Sequence, residues 1–500
     1  MGIATPNAKE VPVKVVGSSI FGRHPLISEE RTWNMFISDD WLVNFSGYLN
    51  SRNIAPLGKE GRGIFHSVRG NFVLIAIDNK VYRIEPNLGF TEIFTIPSSS
   101  TGEVFFDENL SSQVVMVDGI SPVPFIYNYS VLGNMEPAVM GTGFSAFIPN
   151  YVTYQNTFFI FGNANKDTSG SQWYVFKSGF TPPSTAPYTL AWVQTLTLQT
   201  KPDFALAAIR IPSHGNNLLV LGSTVAEIWT QVAGIQTYQR QSSINIDYGV
   251  ASVSTIAASD DLVCWLGINE KSSPAIMVMK GGQAQRISTD GIDFLLGAIQ
   301  FPSQSTAMFY RQDGHVFYIL TFFNQKDNLT IMYDFTTNKF YDLTDWDFTY
   351  FPARQMVYFN NLVYFASLKQ GALMNISTTL TTMSTQTGTI YDIPRIRKCD
   401  TFRLPGSERF IVNRFRFTIA NGVDPDVFLP SQEPFVDVSF SKNGGSTYSN
   451  PIPYYLHVTG QYKNMPTFSK LGEANLFTIQ MRFWGMGDIV VANAVLEVYQ

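Results

Sequence analysis

The sequence is poor in charge and in cysteine. Only 15% of its 500 residues are Asp, Glu, Lys or Arg, against roughly 25% in an ordinary soluble domain. So little charge is compatible with a surface buried against neighbouring molecules, and equally with a large β-protein solvated by Ser, Thr, Asn and Gln. The two cysteines, Cys264 and Cys399, form no CxxC pair, which excludes a disulfide framework and a structural zinc site and favours assembly in the cytoplasm.

Long apolar runs and targeting signals are missing as well. The sequence has no stretch of about 18 apolar residues, so no membrane-spanning helix is predicted. Its start lacks the charged-then-apolar pattern of a signal peptide, and Pro6 stands where a myristoylation signal requires Ser or Thr. The net charge of −5 gives no overall attraction for nucleic acid, although a mildly acidic wall would let DNA slide past.

Catalytic signatures are absent too. There is no GxSxG elbow and no phosphate-binding GxxxxGK[ST] loop. The histidines form no metal-ligand pattern, and we expect His315 to be packed within a strand. We therefore predict a protein that is not an enzyme, with no catalytic residue, metal or cofactor. The five histidines are His24, His66, His214, His315 and His457.

One segment resembles a glycosidase-associated motif. Residues 441–448, SKNGGSTY, are similar to the aspartate-box hairpin of sialidases, with Asn443 in the place of Asp and Tyr448 in the place of Trp. That box is itself a structural turn, and glycoside cleavage needs two carboxylates at a set separation. We therefore interpret residues 442–445 as a hairpin turn. The acidic residues Asp260, Asp261, Asp345 and Asp347 are expected at solvated turns.

What the sequence does contain is strands. The chain is 45% hydrophobic and 14% aromatic, and short apolar strands recur in pairs joined by polar turns. A single pair would leave an apolar face in water, so the pairs must stack on one another. The seven candidate pairs begin at Val73, Val114, Phe158, Leu218, Leu262, Val316 and Leu362.

Regular repetition of this kind predicts an all-β fold, a β-propeller of about seven blades over residues 61–384. Six or eight blades are alternatives, and a double β-sandwich is the rival architecture. Residues 1–60 are interpreted as an extended N-terminal arm that closes the ring or reaches a neighbour. Residues 385–500 are interpreted as a C-terminal β-sandwich domain, since residues 414–417 and 435–440 alternate between apolar and polar side chains.

The C-terminal region opens with an unusually basic stretch. Between Tyr391 and Phe417, seven basic residues face three acidic ones, Asp392, Asp400 and Glu408. The functional interpretation is a docking stripe for an acidic neighbour or for the DNA backbone; the alternative is a solvated strand face with local ion pairs. The predicted interface residues are Arg395, Arg397, Arg403, Arg409, Arg414 and Arg416, together with Trp33 and Phe36 in the arm.

Several segments carry a family resemblance. Six of them lie in the predicted propeller. In chain order they are GIFHSVRGNFVLIAIDNKVYRIE (63–85), LGSTVAEIWTQVAG (221–234), DDLVCWLGINE (260–270) with GGQAQRIST (281–289), GHVFYILTF (314–322) and TIMYDFTTNKFYDLT (330–344). RTWNMF (31–36) precedes them, and SFSKNGGSTYS with Gly460-Gln461-Tyr462 follows. Together they resemble the tail-hub, or packaged-DNA stabilization, proteins of short-tailed bacteriophages. The departures are Ser46-Gly47, where that family more often has Pro-Gly, and a poorly matching third blade.

This resemblance implies a structural subunit of the virion tail, assembled in the host cytoplasm. The expected partners are further copies of the chain in a ring, commonly a homohexamer, and the portal-adaptor protein above it. Further expected partners are tailspike or tail-fibre proteins, a tail needle or plug, and dsDNA that passes transiently through the channel. Two alternatives stay open: a carbohydrate-binding or glycan-degrading propeller that acts as a receptor-binding accessory, and a scaffold propeller of cellular origin.

Overall fold

The structure is a computed structural model, and it is almost entirely β. It describes residues 8–22, 29–131, 133–141, 147–177, 188–212, 214–234, 237–271, 274–406, 409–422, 434–456, 465–485 and 487–499. Among these residues the one α-helix is Asp290–Gly297, and two short 3₁₀ turns span Thr168–Ser171 and Val253–Thr255. No helix of the described part is long and apolar enough to cross a membrane.

Within the described residues, seven antiparallel sheet units follow one another and form the blades of a β-propeller. In each blade the first strand is innermost and the others follow outward, and the sequence-predicted hairpins are the middle strands. Blade 1 consists of Gly61–Ser67, Phe72–Ile77, Lys80–Ile84 and Phe90–Thr95, and blade 2 of Phe105–Glu108, Gln113–Val117, Phe125–Asn128 and Glu136–Pro137. Blade 3 consists of Pro149–Gln155, Phe158–Asn163, Gln172–Lys177 and Thr189–Thr197, and Val139–Met140 pairs with the last of these strands.

The remaining blades repeat the arrangement, and the last one recruits its outer strand from the N-terminal region. Blade 4 consists of Ala205–Arg210, Asn217–Gly222, Ala226–Gln231 and Tyr238–Arg240, and blade 5 of Ala257–Ser259 with Gly249–Val250, Leu262–Ile268, Ala275–Lys280 and Gln283–Arg286. Blade 6 consists of Ser305–Gln312, His315–Phe322, Leu329–Asp334 and Lys339–Leu343, and blade 7 of Ala353–Phe359, Leu362–Ser367, Ala372–Ser377 and Gly47–Asn53.

The blades are held together by apolar clusters that lie between neighbours. Phe72 and Leu74 of blade 1 pack with Val114 of blade 2, and equivalent clusters join each later pair. A last cluster joins blade 7 to blade 1 and closes the circle. Burying these faces is the main stabilising contribution, at about 25 cal/mol per Å² of apolar surface. The prediction that strand pairs cover one another's apolar faces is confirmed.

Short connections join the inner strand of each blade to the second strand. In blades 1 to 3 and 5 to 7 a residue of this connection lies at positive φ, for example Asn156 at 47° and Asn360 at 49°. Asn and Asp tolerate this left-handed conformation because their short polar side chains bond locally. In blade 6 the turn is Asp313-Gly314, where Gly314 has φ 84° and meets no steric penalty.

The C-terminal strands form two sheets that pack face to face. Phe415 contacts Phe440 at a ring distance of 6.2 Å and Phe417 contacts Phe483 at 6.4 Å, so aromatic side chains fill the space between the sheets. One sheet holds Met35–Ser38, Trp41–Asn44, Asp488–Tyr499, Phe410–Gly422 and Thr467–Ala474, with Lys9–Val13 paired to Asp488–Tyr499. The other holds Arg31–Trp33, Arg395–Lys398, Thr478–Trp484, Phe435–Ser441 and Ile452–Tyr455.

The N-terminal region is built into the body of the protein. Trp33 pairs in parallel with Asp342, which joins the second C-terminal sheet to the outer edge of blade 6. Gly47–Asn53 pairs with Ala372–Ser377 and so closes the propeller, one of the two roles considered for the arm. Thr382–Ser384 and Ile390–Asp392 extend blade 7 on the outer side of this strand. Blades 6 and 7 consequently share one apolar core with the C-terminal sheets.

Candidate functional site

The basic stretch divides into buried and exposed arginines. Arg395 and Arg397 are fully buried on the strand Arg395–Lys398, in the middle of the large sheet. Arg395 donates to the carbonyls of Gly485, at 3.1 Å, and of Thr381, at 2.9 Å. These two side chains therefore cannot form the docking surface predicted from the sequence, because the chain itself occupies all the space around them.

Arg397 organises the segment that covers it. Its guanidinium donates to the carbonyls of Val15, at 2.8 Å, and Ser18, at 3.1 Å. It also forms an ion pair with Glu30, whose other oxygen accepts from Lys14 at 2.8 Å. A buried charge is tolerated only when it is paired and fully hydrogen-bonded. Glu30 was not predicted from the sequence, because nothing near it in the sequence indicates a partner so far along the chain.

The two predicted residues of the arm are also structural. Phe36 is fully buried and meets the edge of His315 at 4.9 Å and of Phe317 at 5.0 Å. Trp33 is half-buried, with the Arg31 guanidinium 5.0 Å from its ring centre. A docking role for Phe36 is thus excluded in this conformation, and Trp33 offers only part of its ring.

Four arginines of the stretch do reach the surface. Arg414 and Arg416 alternate with buried Phe415 and Phe417 and point away from the sandwich core, as the alternation predicted. Each has an acidic neighbour: Arg414 lies 3.7 Å from Glu497, and Arg416 lies 2.5 Å from Glu10. Arg409 lies 3.5 Å from Glu473, and Arg403 is exposed on the preceding loop. Local pairing lowers the net positive charge of this surface.

The two thiols and His315 are packed inside the protein. Cys264 and Cys399 are buried and unbridged, and burial raises the pKa of the Cys399 thiol to about 11, which disfavours the reactive thiolate. His315 is packed as predicted, with Nδ1 2.9 Å from Asp334 and Nε2 3.2 Å from Ser38. Among the described residues no group of three His, Cys, Asp or Glu could hold a metal ion. His24, His457, Glu408 and residues 460–462 lie outside the described residues.

One acidic residue expected at a solvated turn is buried instead. Asp345 has no exposed surface; it pairs with Lys369 at 2.6 Å and accepts a hydrogen bond from Tyr48. Burial raises the pKa of Asp345, against the lowering effect of Lys369. Because Tyr48 lies on the strand that closes blade 7, Asp345 helps to hold the closure. The expected turn at residues 442–445 is present, with Gly444 and Gly445 at positive φ.

The inner strands of all seven blades surround one axial cavity of about 530 Å³. A cavity of this size would accommodate a small molecule. Its walls combine polar and apolar surface in nearly equal shares, with aromatic side chains such as Phe65 and Phe106 in stacked contact at 6.1 Å. Asp107, one of two aspartates that line the cavity, accepts from the backbone N–H of Tyr154 at 2.6 Å and thereby ties blade 2 to blade 3. Burial raises the pKa of Asp107, partly offset by Arg210.

Glu103 lies across the axis at the end where the inner strands begin. It belongs to the connection before blade 2, yet Thr306 of blade 6 donates to it at 3.3 Å and Gln355 of blade 7 donates to it at 2.6 Å. Blades 2 and 6 stand on nearly opposite sides of the circle. Only 5% of the Glu103 side chain is exposed. The axis of the single chain is therefore blocked at this end, and no pattern in the sequence predicts this.

Comparison with known proteins gives a family match and several similar solved structures. The family described as "Bacteriophage P22 Gp10, beta-propeller" matches residues 31–381. No curated protein matches the chain. Virginiamycin B lyase from Staphylococcus aureus is 12% identical over 66% of this chain and 99% of its own, with a TM-score of 0.40. The extracellular domain of a putative hybrid two-component system from B. thetaiotaomicron is 11% identical over 92% of this chain and 62% of its own, with a TM-score of 0.45.

Proposed function

Because the chain belongs to the family of the bacteriophage P22 Gp10 β-propeller, a family of phage tail proteins that stabilise packaged DNA, we propose that it is a non-enzymatic subunit of a tail-hub ring. The ring extends the DNA channel below the portal and its adaptor. It helps to retain the genome and offers attachment to spikes or fibres and to a needle or plug. The family match over residues 31–381 is the observation that carries this proposal.

The closed propeller axis fits a ring in which DNA passes between copies. With an axial cavity of about 530 Å³ blocked by Glu103, duplex DNA has no path through a single chain. A channel wide enough for a duplex must then be enclosed by several copies around a rotation axis, which requires a heterologous contact repeated around a closed circle. Such a ring would retain DNA through its assembly alone, without catalysing a chemical reaction.

Loss of the chain is expected to release packaged DNA. Phage heads filled in the absence of the chain should carry DNA that leaks out and becomes sensitive to nuclease, because the channel below the portal stays open. The measurement is the nuclease-protected genome per particle, before and after purified chain is added to the heads. Protection that is unchanged by the chain would contradict the proposed role in retention.

The ring itself is expected to form on the adaptor. Cryo-electron microscopy of the purified chain mixed with portal–adaptor complexes should show a closed ring of copies, most simply six. A monomer in isolation would not decide the matter, since assembly can require the adaptor as a template. A chain that stays monomeric and also fails to bind the adaptor would contradict the proposal.

The four arginines of the C-terminal region that reach the surface are proposed as a docking surface. Combined substitution of Arg403, Arg409, Arg414 and Arg416 by Ser should change the unfolding free energy by less than about 0.5 kcal/mol per site, because exposed pairs contribute little. Association with the adaptor or between copies should weaken, more at low salt than at high salt. The matched control replaces four propeller cations, Lys80, Lys201, Lys271 and Lys280, by Ser. Equal binding by both variants would exclude the surface.

A further inference from the structure

The Glu103 carboxyl faces a buried cation that it does not fully engage. Its Oε2 lies 3.9 Å from Nε of Arg354, beyond hydrogen-bond distance. Arg354 is 1% exposed and uses its outer nitrogens elsewhere, on Glu60 at 2.6 Å and on the carbonyl of Gly61 at 3.0 Å. Its Nε–H has no hydrogen-bond partner among the described residues. A buried donor and a buried carboxyl thus stand about one ångström too far apart to bond.

We propose that Glu103 and Arg354 form a proton-controlled latch across the propeller axis. With Glu103 protonated, the carboxyl has little attraction for Arg354 and the observed separation persists. With Glu103 ionised, the carboxylate draws the Arg354 Nε–H into a charge-assisted hydrogen bond. Because Glu103 leads into blade 2 and Arg354 lies on blade 7, the bond would pull the connection before blade 2 against blade 7.

The groups around Glu103 bring the ionisation of its carboxyl group close to neutral pH. Burial raises the pKa of Glu103 to about 7, against lowering effects from Arg354 and from hydrogen bonds with Ser254, Gln355 and Thr306. From blade 3, Tyr151 also faces Glu103, and Glu60 and Arg62 act on Arg354 from the start of blade 1. Since Glu60 already engages Arg354, the cation compensates Glu103 incompletely.

The sign of the effect on stability follows from this raised pKa. The folded chain holds the Glu103 proton more tightly than the unfolded chain, so the associated stability is fully present below about pH 4.5 and is lost as pH rises through about 7. Glu103→Gln mimics the protonated carboxyl and removes this dependence. Between about pH 5 and pH 8.5, the thermal midpoint of the unsubstituted chain should fall by about 3 °C relative to the variant.

The latch is tested on the isolated chain, so that its outcome does not depend on the ring. Thermal midpoints are measured across this pH range for the unsubstituted chain, Glu103→Gln and the control Asp261→Asn, which removes an exposed charge at a hairpin turn. In parallel, the Arg354 Nε–H is followed by NMR of ¹⁵N-arginine-labelled protein. We expect its signal to move with pH around neutrality in the unsubstituted chain and to stay fixed in Glu103→Gln.

Two results would overturn the latch: an Arg354 signal that does not respond to pH, or midpoint curves of Glu103→Gln and the unsubstituted chain that run parallel. Should Glu103→Gln fail to fold, Arg354→Lys decides the question, because it keeps a cation for Glu60 and removes the Nε–H. Its midpoint should fall more steeply with rising pH than that of the unsubstituted chain. An unchanged slope counts against the latch.

Discussion

Replacing Arg397 by Ala should lower the free energy of unfolding by about 3–5 kcal/mol, the cost of breaking a buried ion pair by removing one partner. The substitution leaves Glu30, whose side chain is 3% exposed, without its main cation. It also removes the donor from the carbonyls of Val15 and Ser18. Chemical denaturation followed by fluorescence measures the loss.

Two further variants separate the contributions of charge and hydrogen bonding. The double variant Arg397→Met with Glu30→Leu replaces both charges by apolar groups and should recover the part of the loss due to an orphaned carboxylate. The part due to the unpaired carbonyls should remain. Arg409→Ala is the control, since its side chain is 73% exposed and its loss should cost less than about 0.5 kcal/mol. Equal losses for Arg397→Ala and Arg409→Ala would contradict the role of Arg397 in holding the N-terminal segment.

Glu227→Ala should lower the free energy of unfolding by a similar amount, roughly 3–5 kcal/mol, because its one buried carboxylate accepts the hydrogen bonds that fix the connection between blades 3 and 4. Glu227 has no exposed surface. One oxygen accepts from the backbone N–H of Gln199 at 2.8 Å and of Thr200 at 2.5 Å, and the other accepts from Nε1 of Trp229 at 2.9 Å. Near-ultraviolet circular dichroism should also change, since Trp229 packs against Trp173 at 5.3 Å.

Glu227→Gln tests whether both side-chain oxygens of Glu227 must be hydrogen-bond acceptors. An amide offers one acceptor oxygen, whereas both oxygens of Glu227 accept hydrogen bonds, so its NH₂ group must face a donor on one side. We expect a loss between that of Glu227→Ala and zero, about 1–3 kcal/mol. Glu473→Gln is the control, on a residue whose side chain is 55% exposed. A Glu227→Gln variant as stable as this control would show that the connection before blade 4 does not depend on the charge.

The propeller could be predicted from sequence because its determinants are local. Each blade centres on an apolar strand pair with a polar turn, such as Val73–Ile77 followed by Asp78-Asn79. Stacking then follows from the need to bury both faces of every sheet. The alternation at residues 414–417 likewise predicted which side chains enter the sandwich core, because that strand has one apolar face and one exposed face.

Burial of the arginines could not be predicted, because it depends on distant segments. Arg395-Ile396-Arg397 has the same alternating pattern as Arg414-Phe415-Arg416-Phe417, yet its arginines are buried and those of the second strand are partly exposed. The difference arises because residues 14–18 lie over Arg397 and the segment at Thr381 and Gly485 surrounds Arg395. The local sequence pattern of a strand does not indicate whether a distant segment will cover its side chains. For the same reason Glu103 was not predicted and Asp345 was wrongly expected at a solvated turn, since their partners are on other blades.

The closure of blade 7 sets an order of events during synthesis. Gly47–Asn53 leaves the ribosome early, but its partner Ala372–Ser377 is made more than three hundred residues later. At roughly 5–20 residues per second, this strand waits about 15–65 s with its backbone edge unpaired. Until then the first and last blades cannot meet, so the nascent chain exposes apolar faces that other chains could capture. Yield in the cell should therefore depend on how fast translation passes from blade 1 to blade 7.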